Sequence, residues 1–170
     1  MRTLAIIGTA GRGEDLSKLD SRKYDLMLGV CRKVIALEGI TDMVSGGAAW
    51  ADHCAVTLHL EDGIPLKLWL PAYRRDCEIA GYYHDRFSLK LGRGTLHEVL
   101  NLPFHSYKGF KDRNGKVAAE ADLFVAMTFG DKKVVKDGGT KDTVDKMFKR
   151  GITGYHMDLN SERTFRIKPI

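Results

Sequence analysis

The stretch Val44 to Asp52 places two glycines, Gly46 and Gly47, between a short β-rich run and the start of a helical pattern. Glycines at that point let the backbone turn tightly and present bare N–H groups at a helix N-terminus, which is anion-binding geometry. Asp52, at the start of the helix, suits the positive end of its dipole and could also accept a hydrogen bond from a ligand hydroxyl. Two other segments share the character. Gly8-Thr9-Ala10-Gly11-Arg12-Gly13 follows the apolar run Leu4 to Ile7, and Gly138-Gly139-Thr140 precedes the last helical pattern. The first reads G-x-x-G-x-G and so misses the dinucleotide fingerprint. One glycine pair alone is as well explained by a tight turn. Three such loops at strand ends can surround a phosphate and its sugar with backbone N–H groups and the hydroxyls of Thr9, Ser45, Thr140 and Thr143.

Other constellations carry less chemistry. His53 and His59 are six apart on one helix rather than four, with no H-E-x-x-H or carboxylate cluster beside them, so neither a metal nor a cofactor is expected. Glu78, Asp85 and Glu98 fall in an irregular stretch, where one could swing over a pocket as an acid or base, although solvated loop carboxylates are commoner. There is no nucleophile elbow and no Walker motif.

The elements that would position the three loops follow a βαβ rhythm. Leu4 to Ile7 predicts a strand buried on both faces. Tyr24, Met27, Leu28, Cys31, Val34 and Ile35 recur at helical spacing until Gly39, and Asp42 to Ser45 gives a second strand. Ala51, Cys54, Ala55 and Leu58 stripe a second helix, ended by Gly63 and Pro65 before a third strand over Leu66 to Leu70. A short helix from Arg113 to Ala121, a strand from Leu123 to Met127, a helix capped by Thr140, a strand from Ile152 to Leu159 and an alternating edge strand over Thr164 to Lys168 complete the chain. Right-handed crossovers then give an α/β Rossmann-like, doubly wound, mainly parallel sheet of five to six strands with helices on both faces. Ligands in such sheets bind at the carboxyl ends of the strands, where the three loops lie.

Between Pro71 and Arg113 the rhythm breaks. Residues 71–112 form an irregular insert holding Tyr73, Tyr82, Tyr83, Phe87, Phe104, Tyr107 and Phe110 together with His84, His97 and His105. Aromatics interleaved with Arg and Lys could stack nucleobases, or simply build a satellite core. The 170 residues are otherwise read as one domain, 1–170. Cys31, Cys54 and Cys77 are odd in number and lack zinc spacing, which suits reduced thiols in a cytoplasmic protein. No window has the roughly 18 apolar residues of a membrane span, and Met1 to Ile7 is too short for a signal peptide. A net charge of +5 permits anionic ligands from nucleotides to nucleic acid.

Ser45-Gly46-Gly47-Ala48, with Ala51-Asp52 closing the motif, resembles the S-G-G-A-x-G-A-D signature of the SLOG superfamily, the Rossmann-like group that includes DprA and the LOG phosphoribohydrolases. Gly8 to Gly11 after the opening strand, the Arg113-Asn114 pair, the Ala121-Asp122 step and Gly138 to Thr140 come in the order that group shows, over about residues 3–70 and 110–158. The resemblance implies a nucleotide or nucleotide-derived ligand held by Gly8, Thr9, Ala10, Gly11, Arg12, Ser45, Gly46, Gly47, Ala48, Asp52, Arg113, Asn114, Gly138, Gly139, Thr140 and Thr143, often in a homo-oligomer. Two departures stand out. The signature commonly has Arg and then Gly after Ala48, where this chain has Ala49 and Trp50, a ring that could stack on a base or pack. The LOG pattern P-G-G-x-G-T-x-x-E places its catalytic glutamate where this chain has Thr143, with Asp142 and Asp145 out of register by roughly 100° per residue on a helix.

Three functions are therefore in view. The first is a module that senses or sequesters a nucleotide. The second is a nucleoside or nucleotide N-glycosidase in which Asp52, Asp142 or an insert carboxylate replaces the glutamate. The third, less favoured, is DprA-like binding of single-stranded nucleic acid through the insert.

Overall fold

A computed structural model describes residues 1–71, 104–106 and 109–170 of the 170. Seven strands form one sheet: β1 (Thr3–Gly8), β2 (Asp42–Ser45), β3 (Leu66–Leu70), β4 (Phe104–Ser106), β5 (Leu123–Thr128), β6 (Gly154–Asp158) and β7 (Arg163–Ile167). Their order is β4-β3-β2-β1-β5-β6-β7. All neighbours are parallel except β6 and β7, which pair antiparallel. The strand order reverses direction at β1 and β5, the point at which doubly wound sheets open a crevice.

The predicted architecture is thus present, with one strand more than the sequence reading allows. The addition is β4, three residues long and lying inside the stretch read as an irregular insert. Three residues are too few to register a period of two. A second element also begins inside that stretch, since the helix expected to open at Arg113 starts at Phe110. The remaining insert residues, including Tyr73, Tyr82, Tyr83, Phe87, Tyr107, His84, His97, Glu78, Asp85, Glu98 and Cys77, lie outside the described residues.

The sheet is covered on both faces. Strand alternation sends Leu4 and Ile6 to one side, against α1 (Ser21–Glu38) and α2 (His53–Asp62), where Tyr24, Met27, Leu28, Cys31, Cys54 and Leu58 pack with Met43, Leu68 and Met127. Ala5 and Ile7 face the other side, against α3 (Phe110–Glu120) and α4 (Gly139–Lys149), where Val117, Ala118, Val144 and Met147 meet Phe124 and Ala126. β5 is buried along its whole length, as a strand at the centre of a two-sided sheet must be. α1 begins where the Asp20 carboxylate accepts the Lys23 N–H at 2.8 Å and ends at Gly39 in the left-handed conformation. No helix among the described residues is long and apolar enough to cross a membrane.

β1 ends in a glycine for a steric reason. Gly8 has φ +154°, and a Cβ there would run into the Met127 carbonyl of β5 and the Ala51 side chain. The first loop can therefore lie flat across the end of β5 and the start of α2. Gly154 in β6 is tight in the same way, because a Cβ would meet the Phe124 carbonyl and ring. Gly154→Ala is expected to destabilise the protein by about 1–3 kcal/mol through overpacking. Urea unfolding would show a lower midpoint at unchanged slope, and an unchanged midpoint would mean that β5 and β6 can part at no cost.

Candidate functional site

The loops after β1 and β2, the end of β3, and the N-terminal turns of α3 and α4 enclose one cavity of about 370 Å³. From the first loop come Gly8, Thr9, Ala10, Arg12 and Asp15; from the second, Gly46, Gly47, Ala48 and Asp52. α3 contributes Phe110, Arg113, Asn114 and Val117, and Lys136 to Thr140 with Thr143 close the far side. Of the predicted ligand-binding and catalytic residues that are described, Gly11, Ser45 and the weak candidate Asp142 stand outside this lining, as does Trp50.

Each of those three has another task. Ser45 is fully buried, and its hydroxyl donates to the Ile6 carbonyl at 3.1 Å with the Asp52 carbonyl at 3.3 Å, which ties β2 to β1 and to the start of α2. That pairing spends within the protein the hydroxyl proton that the sequence offers to a ligand. Gly11 lies against the Trp50 indole instead of facing the cavity. Asp142 accepts from Lys146 at 2.6 Å and from Asn114 at 3.3 Å, and these partners hold its carboxyl below the usual range against the opposing effect of burial. The expected cap by Thr140 is also replaced: α4 begins two residues earlier, Gly138 occupies the N-cap position, and no side chain caps it. The first N–H groups of α4 then face the cavity with their helix-dipole charge.

The second loop is organised by Asp52. Its carboxylate sits 6% exposed and accepts the Ala48 N–H at 3.4 Å. Burial pushes this carboxyl up to about 6, with the Arg113 charge and the Ala48 and Gly46 N–H groups pulling the other way. Arg113 lies along the same loop and donates from Nη1 to the Gly46 carbonyl at 3.0 Å and from Nε to Asn114 Oδ1 at 3.1 Å. Only glycine permits that approach, since a Cβ on Gly46 would collide with the guanidinium. Asn114 continues the chain of contacts to α4 through the Gly139 carbonyl at 3.4 Å.

Asp15, Lys136 and Thr128 are among the lining groups missing from the sequence reading. Asp15 accepts from the Thr9 hydroxyl at 2.6 Å and pairs with Lys136 at 2.7 Å, linking the first loop to the loop before α4. Burial works to raise the Asp15 carboxyl, but Lys136 and Thr9 outweigh it and hold it below its ordinary value. Thr128, at the end of β5, accepts the Lys136 N–H at 3.1 Å and bonds His156 Nε2 at 2.8 Å. His156 Nδ1 is 2.5 Å from the Lys132 carbonyl, which places the ring proton on Nδ1 and leaves Nε2 to accept from Thr128. Burial lowers the His156 pKa and keeps the ring neutral. This fully buried histidine fixes the loop that carries Lys136. No cluster of three metal-ligating side chains occurs among the described residues.

An uncharacterized protein of Acanthamoeba polyphaga mimivirus is 33% identical to this chain over 165 residues, covering 85% of this chain and 90% of the viral one. The two proteins belong to one family. No family model matches the chain. Among solved structures, the chain is similar to TM1055, a structural-genomics target, at TM-score 0.53 and 16% identity over 91% of this chain and 72% of that one. It is also similar to DNA processing protein A (DprA) from Streptococcus pneumoniae, at TM-score 0.56 and 14% identity over 92% of this chain. The chain spans half the length of that DprA chain. The fold of the family is therefore the DprA-like, Rossmann-like fold that the SLOG resemblance implies.

The two departures from the SLOG patterns acquire structures of their own. Trp50, where the signature has glycine, adopts φ +55°, a left-handed conformation costly for a bulky residue. Its ring is 8% exposed and packs edge-on against Tyr24 at 6.4 Å, so of the two roles open to it Trp50 takes packing. Thr143, at the glutamate position, does line the cavity, and its hydroxyl donates back to the Gly139 carbonyl at 3.0 Å.

Asp52 gives this site a signature in pH. A carboxyl raised in the folded protein is neutral there while the unfolded chain's is already ionised. The stability it contributes is whole below about 3.8 and is lost as the pH rises through about 6. A shift of roughly two units corresponds to about 3 kcal/mol. Asp52→Asn should match the wild type near pH 4 and unfold at higher denaturant near pH 7.5, by up to about 3 kcal/mol. An equal difference at both pH values would show that Asp52 stays ionised throughout.

Proposed function

We propose that the cavity binds a nucleotide or nucleotide-derived small molecule, and that the protein senses or sequesters this ligand without turning it over. The observation that carries the reading is the meeting of Gly46 to Ala48, the N-terminus of α4 at Gly138 to Thr140, and Arg113 in one cavity of about 370 Å³. The uncapped N–H groups and the dipole at the start of α4, together with a guanidinium, recognise phosphate. The volume falls in the range of roughly 300–1,000 Å³ that small-molecule sites occupy. Thr143 offers a hydroxyl and no carboxylate where the hydrolases of the SLOG group carry their glutamate, which favours binding over cleavage.

One observation supports a second reading, an N-glycosidase. Asp52 is a buried carboxyl in the cavity wall with its pKa near neutrality, the condition under which a carboxyl can give or take a proton. Binding of single-stranded nucleic acid ranks third. It draws on the net charge of +5 and on the fold shared with a DNA processing protein, while most of the aromatics that would stack bases fall outside the described residues.

A thermal-shift screen of nucleoside mono-, di- and triphosphates tests the first reading, because a ligand at 100 times its dissociation constant adds about 2.7 kcal/mol of stability. At least one nucleotide should stabilise the wild type, and Arg113→Ala should weaken that binding by roughly tenfold or more while the variant remains folded. No shift with any nucleotide would reject the reading. Release of free base from the stabilising nucleotide would move the assignment to the glycosidase. Affinity confined to single-stranded DNA and steeply dependent on salt would move it to nucleic acid.

A further inference from the structure

Arg12 and Arg113 reach the cavity from different walls, the loop after β1 and helix α3, yet both rest on one ring. Their guanidinium carbons lie 5.6 and 5.3 Å from the centroid of Phe110. Phe110 is the first residue of α3, lines the cavity and is 39% exposed, so this stack forms part of the rim. Sharing a ring keeps the two like charges within roughly a Debye length of each other, about 10 Å at 0.1 M salt. Each cation–π contact at an exposed site contributes little, so the stack does not by itself offset the repulsion and the ordering of two long side chains.

The other cation of the lining is in a different position. Lys136 is matched by Asp15 at 2.7 Å. Among the described residues neither Arg12 nor Arg113 makes a salt bridge, although the Arg113 charge acts on the buried Asp52 carboxyl across the second loop. The two hydrogen bonds from Arg113 use Nε and Nη1 and go to neutral oxygens of Asn114 and Gly46, which leaves Nη2 for a ligand. A guanidinium stacked on a ring presents its N–H edge sideways, the orientation in which it grips phosphate oxygens.

We propose that Arg12, Phe110 and Arg113 form a second anionic subsite, and that the ligand is a nucleotide carrying two phosphate groups. One phosphate occupies the glycine floor and the N-terminus of α4. The other is held at the rim by the two arginines, with Phe110 as the platform that keeps them level. The inference rests on the nucleotide reading of the cavity. The second phosphate can be contiguous with the first, as in a nucleoside 5′-diphosphate, or carried on another ribose oxygen, as in a nucleoside 3′,5′-bisphosphate. The recognition chemistry is the same, and the two are separated by trial.

Isothermal titration of the full chain with AMP, ADP and adenosine 3′,5′-bisphosphate, and with the guanine counterparts, provides the test. One of the doubly phosphorylated ligands should bind roughly tenfold or more tightly than its monophosphate, with a steeper fall in affinity as salt is raised. In Arg12→Gln that ratio should fall toward one. Phe110→Leu should lower it in part, by letting the guanidinium groups drift. Lys168→Gln, which removes an exposed cation after β7, should leave the ratio where it was. Equal affinities for one and two phosphates, or a ratio that survives Arg12→Gln, overturns the second subsite while leaving the nucleotide reading in place. Failure of every one of these ligands to bind the folded protein overturns both.

Discussion

The cavity depends above all on a carboxylate buried in its wall. Asp52 sits at the N-terminus of α2 with backbone N–H groups from the second loop and the Arg113 charge as its compensation. A buried charge with so few partners is costly, and the cost enforces geometry: the second loop must curl so that its N–H groups point at the carboxylate. Arg113 must then lie along that loop, and it does so only because Gly46 has no side chain. From Arg113 the constraint passes through Asn114 to the first turn of α4. Two helices on one face of the sheet and one on the other are thereby held in register around a single space.

Trp50 shows how a signature can persist in backbone while changing in side chain. Glycine is expected at this position because the turn into α2 needs a positive φ, and the tryptophan keeps that φ at +55°. What makes the strain tolerable is burial of the indole between Tyr24 and Gly11. The exchange also removes any cation from the start of α2, since Ala49 replaces the usual arginine. On the reading proposed above, anion recognition then falls to groups outside the motif, to Arg113 on α3 and to Arg12 on the first loop.

The sheet, its two helical layers and all three glycine loops were legible because each is written in local sequence. Apolar runs such as Leu4 to Ile7 and Leu123 to Met127 mark buried strands, and Gly39 and Gly63 mark helix ends with left-handed φ. The tertiary pairings were not legible. Asp15 and Lys136 are 121 residues apart and meet at 2.7 Å, and no pattern near either residue announces the other. The same holds for the buried His156, whose bonds to Thr128 and Lys132 exist only once β5 and β6 are side by side. Ser45 is a related case. A serine beside two glycines looks like a ligand hydroxyl, and only the positions of the Ile6 and Asp52 carbonyls show that its hydrogen bond is spent inside the protein.

The distribution of carboxylates bears on binding against turnover. Cleavage of an N-glycosidic bond calls for a carboxylate to stabilise the developing sugar cation and a group to activate water, each at a set distance from the sugar. Around this cavity the acids are already committed or displaced. Asp15 is held by Thr9 and Lys136, Asp142 turns to Lys146 and Asn114 outside the lining, and Asp137 stands exposed at the edge. Asp52 alone is buried in the wall, and its oxygens face the N–H groups of its own loop. One carboxyl engaged in holding the second loop in shape is poorly placed to leave that loop for a substrate. On the reading proposed above, Asp52 therefore shapes the anion site, and the missing glutamate at Thr143 is the step at which a hydrolase scaffold becomes a receptor.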